Sequence, residues 1–382
     1  ASSKISDVDG QKGKLMYRGY LIQDLAHRAS YEETCYLLLY EKLPNSEELN
    51  SFKDILKKER KIPDEIIAAL KTSPYNALPM DILQAGVALL AHHDTDIRDQ
   101  SREASERMAV RLIAKLPTVL AAWGRIRSGE EPIAPSDELD HAANFLYMLS
   151  GEVPDDEVAG FFDVCLVLHA EHTFNASTFA AREVASTKAH IFSAVCAAIG
   201  SLSGDLHGGA NVRVMEMLQE IGVPENVDQY LEKILDEGKK IMGMGHAVYK
   251  VDDPRAHILA PMSKKWENER GIPDGMKSPN SWKKRPRRLS RSVKDGKSMS
   301  MSIFTAEACT ITWVFRSTSL HRCLLFPGSP AGPPTCSRSN SQRQPRNRHF
   351  TVRNQSISEI TADLKNASMF RLQKESNKNF RN

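Results

Sequence analysis

Cysteine is scarce in this chain. Six stand among 382 residues, at positions 35, 165, 196, 309, 323 and 336, with neither metal-ligand nor disulfide-framework spacing. That excludes zinc ribbons and secreted disulfide scaffolds and fits a reducing, cytoplasmic setting. Long hydrophobic runs are missing too. Stretches such as Ala85–Ala91 fall far short of the roughly 20 residues a membrane helix needs. The opening Ala1-Ser-Ser-Lys carries no apolar signal-peptide region. There is no convincing period-two alternation, no Asn-Gly hairpin signal in the first two-thirds, and no internal repeat, which argues against a sheet-based or repeat architecture.

What is present is a chain 41% hydrophobic and 26% charged, enough for one large or two smaller domains with a real core. The net charge of +3 conceals a division. Residues 1–264 hold 28 basic and 40 acidic side chains, a net of −12, and residues 265–382 hold 23 and 8, a net of +15. The texture changes at the same place, to Lys283-Lys-Arg-Pro-Arg-Arg288, Pro327–Pro334 and the Ser-, Arg- and Gln-rich Ser337–Asn347. Such asymmetry marks a nucleic-acid-binding tail or a foreign segment.

The first part reads as all-helical. Helices are expected over Ser30–Tyr40, Glu47–Lys61 with Asn45 or Ser46 as cap, Asp64–Thr72, Met80–His92 and Ser101–Ile126, the last kinked or broken at Pro117. Others follow from Pro135-Ser136 through Met148, then over Asp155–Leu168, Ser177–Gly200, Gly209–Ile221 and Val227–Lys239. Short linkers imply antiparallel packing.

Three histidines stand out by context: His172 in Glu171-His172-Thr-Phe-Asn175-Ala-Ser-Thr178, His207 in Leu206-His207-Gly-Gly-Ala-Asn211, and His246 in Gly243-Met244-Gly245-His246-Ala-Val-Tyr-Lys250, with Asp253-Pro-Arg255 beyond. Flanking glycines let backbone bend and a ligand approach closely. Imidazole exchanges protons near neutrality, while Lys250 and Arg255 supply charge for an anion. Taken singly, each histidine reads as a turn residue or a satisfied buried polar group. His92, His93, His141 and His190 read as structural or surface residues. Their company decides otherwise for the three. The three histidines do not have zinc-ligand spacing. Gly243-x-Gly245 follows no strand, so a dinucleotide fold is rejected.

Together with Gly10-Gln-Lys-Gly13-Lys-Leu-Met-Tyr17-Arg18-Gly19-Tyr20, these blocks in this order resemble the citrate synthase family, in its shorter bacterial and archaeal branch that includes 2-methylcitrate synthases. The resemblance runs from about Ser2 to about Lys264. It implies an all-α fold of a large and a small domain, a homodimer, and a tricarboxylic acid cycle transferase that condenses oxaloacetate with acetyl-CoA, or with propionyl-CoA in the methylcitrate branch. It implies no metal and no cofactor beyond the acyl-CoA substrate, and no membrane or nucleic-acid partner. On this resemblance residues 1–205 belong to the large domain and 206–264 open the small one. His207 matches the histidine that polarises the thioester and His246 the one that binds and protonates the oxaloacetate carbonyl. His172 and Arg255 match oxaloacetate-binding positions, and Gly243, Met244, Gly245 and Lys250 line the CoA site.

Two parts of the family's pattern are missing, its aspartate base and a later arginine in a segment like Ser-Arg-Val-Ala-Gly-Trp-Thr-Ala-His. Its aspartate base lies in a segment like Asn-Val-Asp-Phe-Tyr-Ser-Gly, and no such segment exists here; Asp274 and Asp295 lie in the wrong context. A shifted reading frame accounts for this. Back-translated and read from the third base of each codon, Met299–Cys309 can encode Val-Asn-Val-Asp-Phe-Tyr-Ser-Gly-Ser-Val, with the aspartate codon spanning Ser302 and Ile303. Likewise Phe326–Cys336 can encode Ser-Arg-Val-Ala-Gly-Trp-Thr-Ala-His-Met, and Asp274–Lys277 can encode Trp-Tyr-Glu. Residues 265–382 are therefore expected to be an out-of-frame replacement, leaving the chain as written impaired. The competing accounts are a catalytically dead homologue and a nucleic-acid-binding protein that uses the basic tail.

Overall fold

The computed structural model describes residues 3–221, 226–243 and 248–270. The basic tail, apart from its first few residues, lies outside them, as do Met244, Gly245 and His246.

The chain opens with a small sheet that period-two reading missed. Strands β1 (Ser6–Asp9), β2 (Lys14–Tyr17) and β3 (Tyr20–Leu21) pair antiparallel in sequence order, with Ser6 opposite Tyr17 and Asp9 opposite Lys14. They are too short to show alternation, yet Leu15 and Tyr17 point inward and are fully buried. Asp9 builds the turn: its Oδ1 accepts the Gln11 and Lys12 N–H groups, both at 3.0 Å.

Thirteen helices follow among the described residues. They are α1 (Ile22–Arg28), α2 (Tyr31–Tyr40), α3 (Ser46–Glu59), α4 (Asp64–Lys71), α5 (Pro79–Ala91), α6 (Arg102–Arg127) and α7 (His141–Ser150). Beyond these come α8 (Asp156–His169), α9 (Ala176–Ser186), α10 (Ile191–Leu202), α11 (Ala210–Ile221), α12 (Val227–Asp236) and α13 (Ala256–Arg270). Ser30 and Asn45 begin α2 and α3 with complete capping boxes. The short α1 and α13 were not expected from the sequence.

Three helix expectations are corrected. Pro117 does not break α6, which runs unbroken for 26 residues. An interior proline costs about 3 kcal/mol, but α6 is locked on both sides of it, by Met108 and Leu112 before and Val119, Trp123 and Ile126 after, all buried in one core. No helix starts at Pro135. Fully buried Arg60 draws that segment out as a loop, donating to the carbonyls of Ser136 (2.9 Å) and Leu139 (2.6 Å). The buried Glu32 carboxylate then accepts the His141 N–H at 2.9 Å, supplying the cap that Asp140 does not make at α7. Residues 177–200 are two helices. Ser186 and Thr187 turn their hydroxyls back on the carbonyls of Glu183 and Val184, Lys188 takes φ +62°, and His190 caps α10.

Two large cores result. One joins α4, α5, α6 and α10 around Trp123, and the other seats the sheet, α1, α2, α7, α8 and α13 around Leu15, Tyr17 and Leu259. The helices α11 and α12 pack on each other in a separate apolar cluster, with Val214, Leu218 and Leu231 at its centre.

Candidate active site

The site is built where α8 ends, where α9 and α13 begin, and where the α10–α11 link returns. After α8 the chain turns sharply through Glu171-His172-Thr173. Thr173 is β-branched yet sits at φ +57°, a left-handed conformation that such residues rarely adopt. Asn175 then caps α9 by accepting the Thr178 N–H at 2.9 Å.

This turn brings His172 against Tyr249. Nε2 of His172 lies 3.1 Å from the Tyr249 hydroxyl, and the rings meet edge to face at 5.6 Å. Tyr249 is buried, and burial together with the negative charge of Asp253 keeps its phenol protonated by pushing its pKa up. Arg255 and Tyr17 are its electrostatic neighbours.

Arg255 is 5% exposed and Asp253 wholly buried. The guanidinium grips the carboxylate along one edge, Nε to Oδ1 at 3.0 Å and Nη2 to Oδ2 at 2.8 Å, and the Arg255 N–H adds a third bond to Oδ1 at 3.0 Å. Burial opposes the charge of Arg255, but the Asp253 bonds outweigh it and hold the pKa above its ordinary value. A guanidinium has five N–H donors, and the carboxylate takes two of them.

His207 approaches from the α10–α11 link. Its Nε2 accepts the Ser177 backbone N–H at 3.2 Å and lies 2.7 Å from the Ser177 hydroxyl. A backbone N–H can only donate. The neutral ring must therefore carry its proton on Nδ1, which makes Nδ1–H the donor available to a ligand. Ser177 lies in the first turn of α9, five residues beyond His172, so one short segment carries His172 and the group that meets His207.

Lys250 is exposed, and Gly243 is buried at φ +75°. The structure thus brings His172 together with the Tyr249–Asp253–Arg255 cluster and sets His207 on Ser177. Met244, Gly245 and His246 fall outside the described residues. Among those residues no group of three or more His, Cys, Asp or Glu is placed to hold a metal ion, and no helix is long and apolar enough to cross a membrane. Sequence reasoning passed over Ser177 and Tyr249. Their one signal was position, a hydroxyl two residues after a helix cap and a tyrosine three residues after a histidine.

Comparison with known proteins then decides the family. The citrate synthase C-terminal domain profile matches residues 1–277. The chain belongs to the citrate synthase family. A citrate synthase of Synechocystis is 48% identical over 267 residues, 69% of this chain and 66% of that protein. A 2-methylcitrate synthase of Mycobacterium tuberculosis is 43% identical over 258 residues, 68% of this chain and 65% of that protein. The crystal structure of the Pyrobaculum aerophilum citrate synthase superposes with a TM-score of 0.77 at 35% identity, covering 85% of this chain and 84% of that one. The matched part of this citrate synthase family chain spans just under two-thirds of the length of these two sequence relatives. The fold is mainly helical, as the sequence indicated.

Proposed function

We propose that the site condenses oxaloacetate with acetyl-CoA and water to give citrate and CoA. The observation that carries this reading is the His207–Ser177 pair. It leaves a neutral imidazole with a fixed Nδ1–H donor, the group required to stabilise a thioester enolate without surrendering a full proton. An acetyl methyl group is a poor acid, so a base must remove its proton while that donor stabilises the oxygen. The enol then attacks the ketone of oxaloacetate, which His246 polarises and protonates. His172 and Arg255 hold the substrate carboxylates, with Tyr249 keeping His172 in place. Lys250 and Gly243–Gly245 line the path of CoA. Water then releases citrate from its thioester. No metal takes part.

Propionyl-CoA is the second reading, favoured by the similarity to a 2-methylcitrate synthase. Subunit pairing is part of the proposal. Helix α9 buries none of its residues, and Phe179 on it is 70% exposed, an apolar face suited to a second copy.

The base belongs to the segment that the shifted frame removes. The composition break at residue 265 and the end of the family match at residue 277 fall close together, which supports that reading. The test is CoA release from oxaloacetate with acetyl-CoA or propionyl-CoA, by the full chain and by a frame-restored chain. The restored chain turns over and the full chain is slower by at least about 10²-fold, the lower range for a catalytic base. Equal rates would refute the frame argument, and no release by either would refute the activity.

A further inference from the structure

The β1–β2 hairpin grips both segments that carry the site. At its strand end, Ser6 is buried and its hydroxyl donates to Glu171 Oε1 at 2.9 Å while accepting the Thr173 N–H at 3.2 Å. Tyr17, opposite Ser6 in the ladder, donates to the Leu168 carbonyl and accepts the Glu171 N–H, both at 3.3 Å. These bonds hold the turn on either side of His172, including Thr173 in its strained conformation. At the turn end, the Lys250 N–H donates to the Gly10 carbonyl at 2.8 Å. A Cβ on Gly10 would lie 2.3 Å from the Val248 carbonyl oxygen, and one on Gly13 2.8 Å from Val251 Cγ2. Gly10 is not in the left-handed region, so its need for hydrogen comes from this close approach alone.

The held residues bracket the pair itself. His172 lies between Glu171 and Thr173, Tyr249 lies between Val248 and Lys250, and the two side chains meet at 3.1 Å. We propose that the hairpin is a brace that fixes the His172–Tyr249 pairing, and that Ser6 and Gly10 are positioning residues setting the affinity for oxaloacetate. This rests on the function proposed above for the same site. A ligand held by both loops binds well only if they are already in register, and a brace supplies that order before binding.

The test uses the full chain with Ser6→Ala and Gly10→Ala, and Gly160→Ala as control, since a Cβ at Gly160 on α8 meets nothing within 4 Å. Hydrogen exchange is followed by mass spectrometry in segments 168–174 and 248–252. Oxaloacetate and acetyl-CoA binding are measured by calorimetry, which needs no catalytic base. Gly10→Ala speeds exchange over 248–252 and Ser6→Ala over 168–174, each by about tenfold, the worth of a backbone-type hydrogen bond. Both weaken oxaloacetate by about five- to tenfold, and Ser6→Ala, which touches no residue of the CoA path, leaves acetyl-CoA binding unchanged. Unaltered exchange overturns the brace. Faster exchange spread evenly over the whole chain reduces it to a fold-stability contact and overturns it as well. Faster local exchange with unchanged oxaloacetate affinity overturns the positioning role. If the parent chain binds no oxaloacetate, the same variants are read in the frame-restored chain; if that chain binds none either, the proposed function fails, and the positioning role with it, while the exchange data still decide whether the brace exists.

Discussion

Replacing Asp253 by Asn tests the electrostatic centre of the site most directly. The substitution keeps shape and removes charge. In the parent, an arginine side chain 6% exposed faces an aspartate side chain that is wholly buried, joined by two side-chain bonds and one backbone bond. The asparagine oxygen can keep one or two of these bonds. The charge of Arg255 then stands without its partner in a medium that solvates it poorly, and breaking a buried pair from one side costs about 3–5 kcal/mol. At roughly 2–4 °C per kcal/mol for a unit of this size, the thermal midpoint of the full chain, followed by far-ultraviolet circular dichroism, falls by about 6–20 °C. The double variant Asp253→Asn with Arg255→Met removes both charges and recovers more than half of that loss, because the penalty belongs to the orphaned charge rather than to lost attraction. A single-variant shift under about 2 °C would refute the reasoning, and so would a double variant as unstable as the single.

Three further outcomes follow from the same geometry. Ser177→Ala removes the 2.7 Å hydroxyl contact to His207 but leaves the backbone N–H that fixes the tautomer. In the frame-restored chain kcat drops by about tenfold, the worth of one such bond, while the KM for oxaloacetate holds; a change confined to KM would count against the role of His207. Burial first, and the charge of Glu32 second, push the Asp163 carboxyl up to about 7. The folded state therefore holds that proton more tightly than the unfolded chain does, and this stability is complete below about pH 4 and lost as pH rises through 7. Asp163→Asn stays neutral, so its midpoint gains on the parent from pH 4 to pH 8, by the equivalent of about 2–4 kcal/mol, and a flat difference would show that Asp163 ionises normally. Burial, then the charge of Arg60, hold His141 down at about 3. Its stabilising contribution is present above about pH 6.5 and lost as pH falls toward 3. His141→Phe, whose ring still packs on Tyr31, resists acid better than the parent, and equal acid midpoints would contradict this.

The helices were legible where local chemistry decided them. Ser30, Asn45 and Asp155 cap the helices that follow them as their side chains require, because a cap bond spans only three residues. The misreadings at Pro135 and Pro117 share one cause, a distant partner. Arg60 lies 76 residues from the Ser136 carbonyl it captures, and nothing near Pro135 announces that the segment will be drawn into a loop. Pro117 is a helix breaker by local rules and is overruled by one core that holds the helix before and after it. The sheet escaped because four-residue strands give too few alternations to count.

The site divides in the same way. His172, His207 and Arg255 are marked by glycine, acid and cap residues beside them. Ser177 and Tyr249 meet their histidines only when segments 30 and 77 residues apart close on one another. The Asp253–Arg255 pair lies between these cases. Its two members are adjacent enough to be read together, yet sequence cannot say that the carboxylate spends half of the arginine's fork. That single fact changes what the arginine can do. A guanidinium already balanced inside the protein contributes direction rather than net charge, so the dicarboxylate proposed for this site must draw its remaining attraction from cations on other segments.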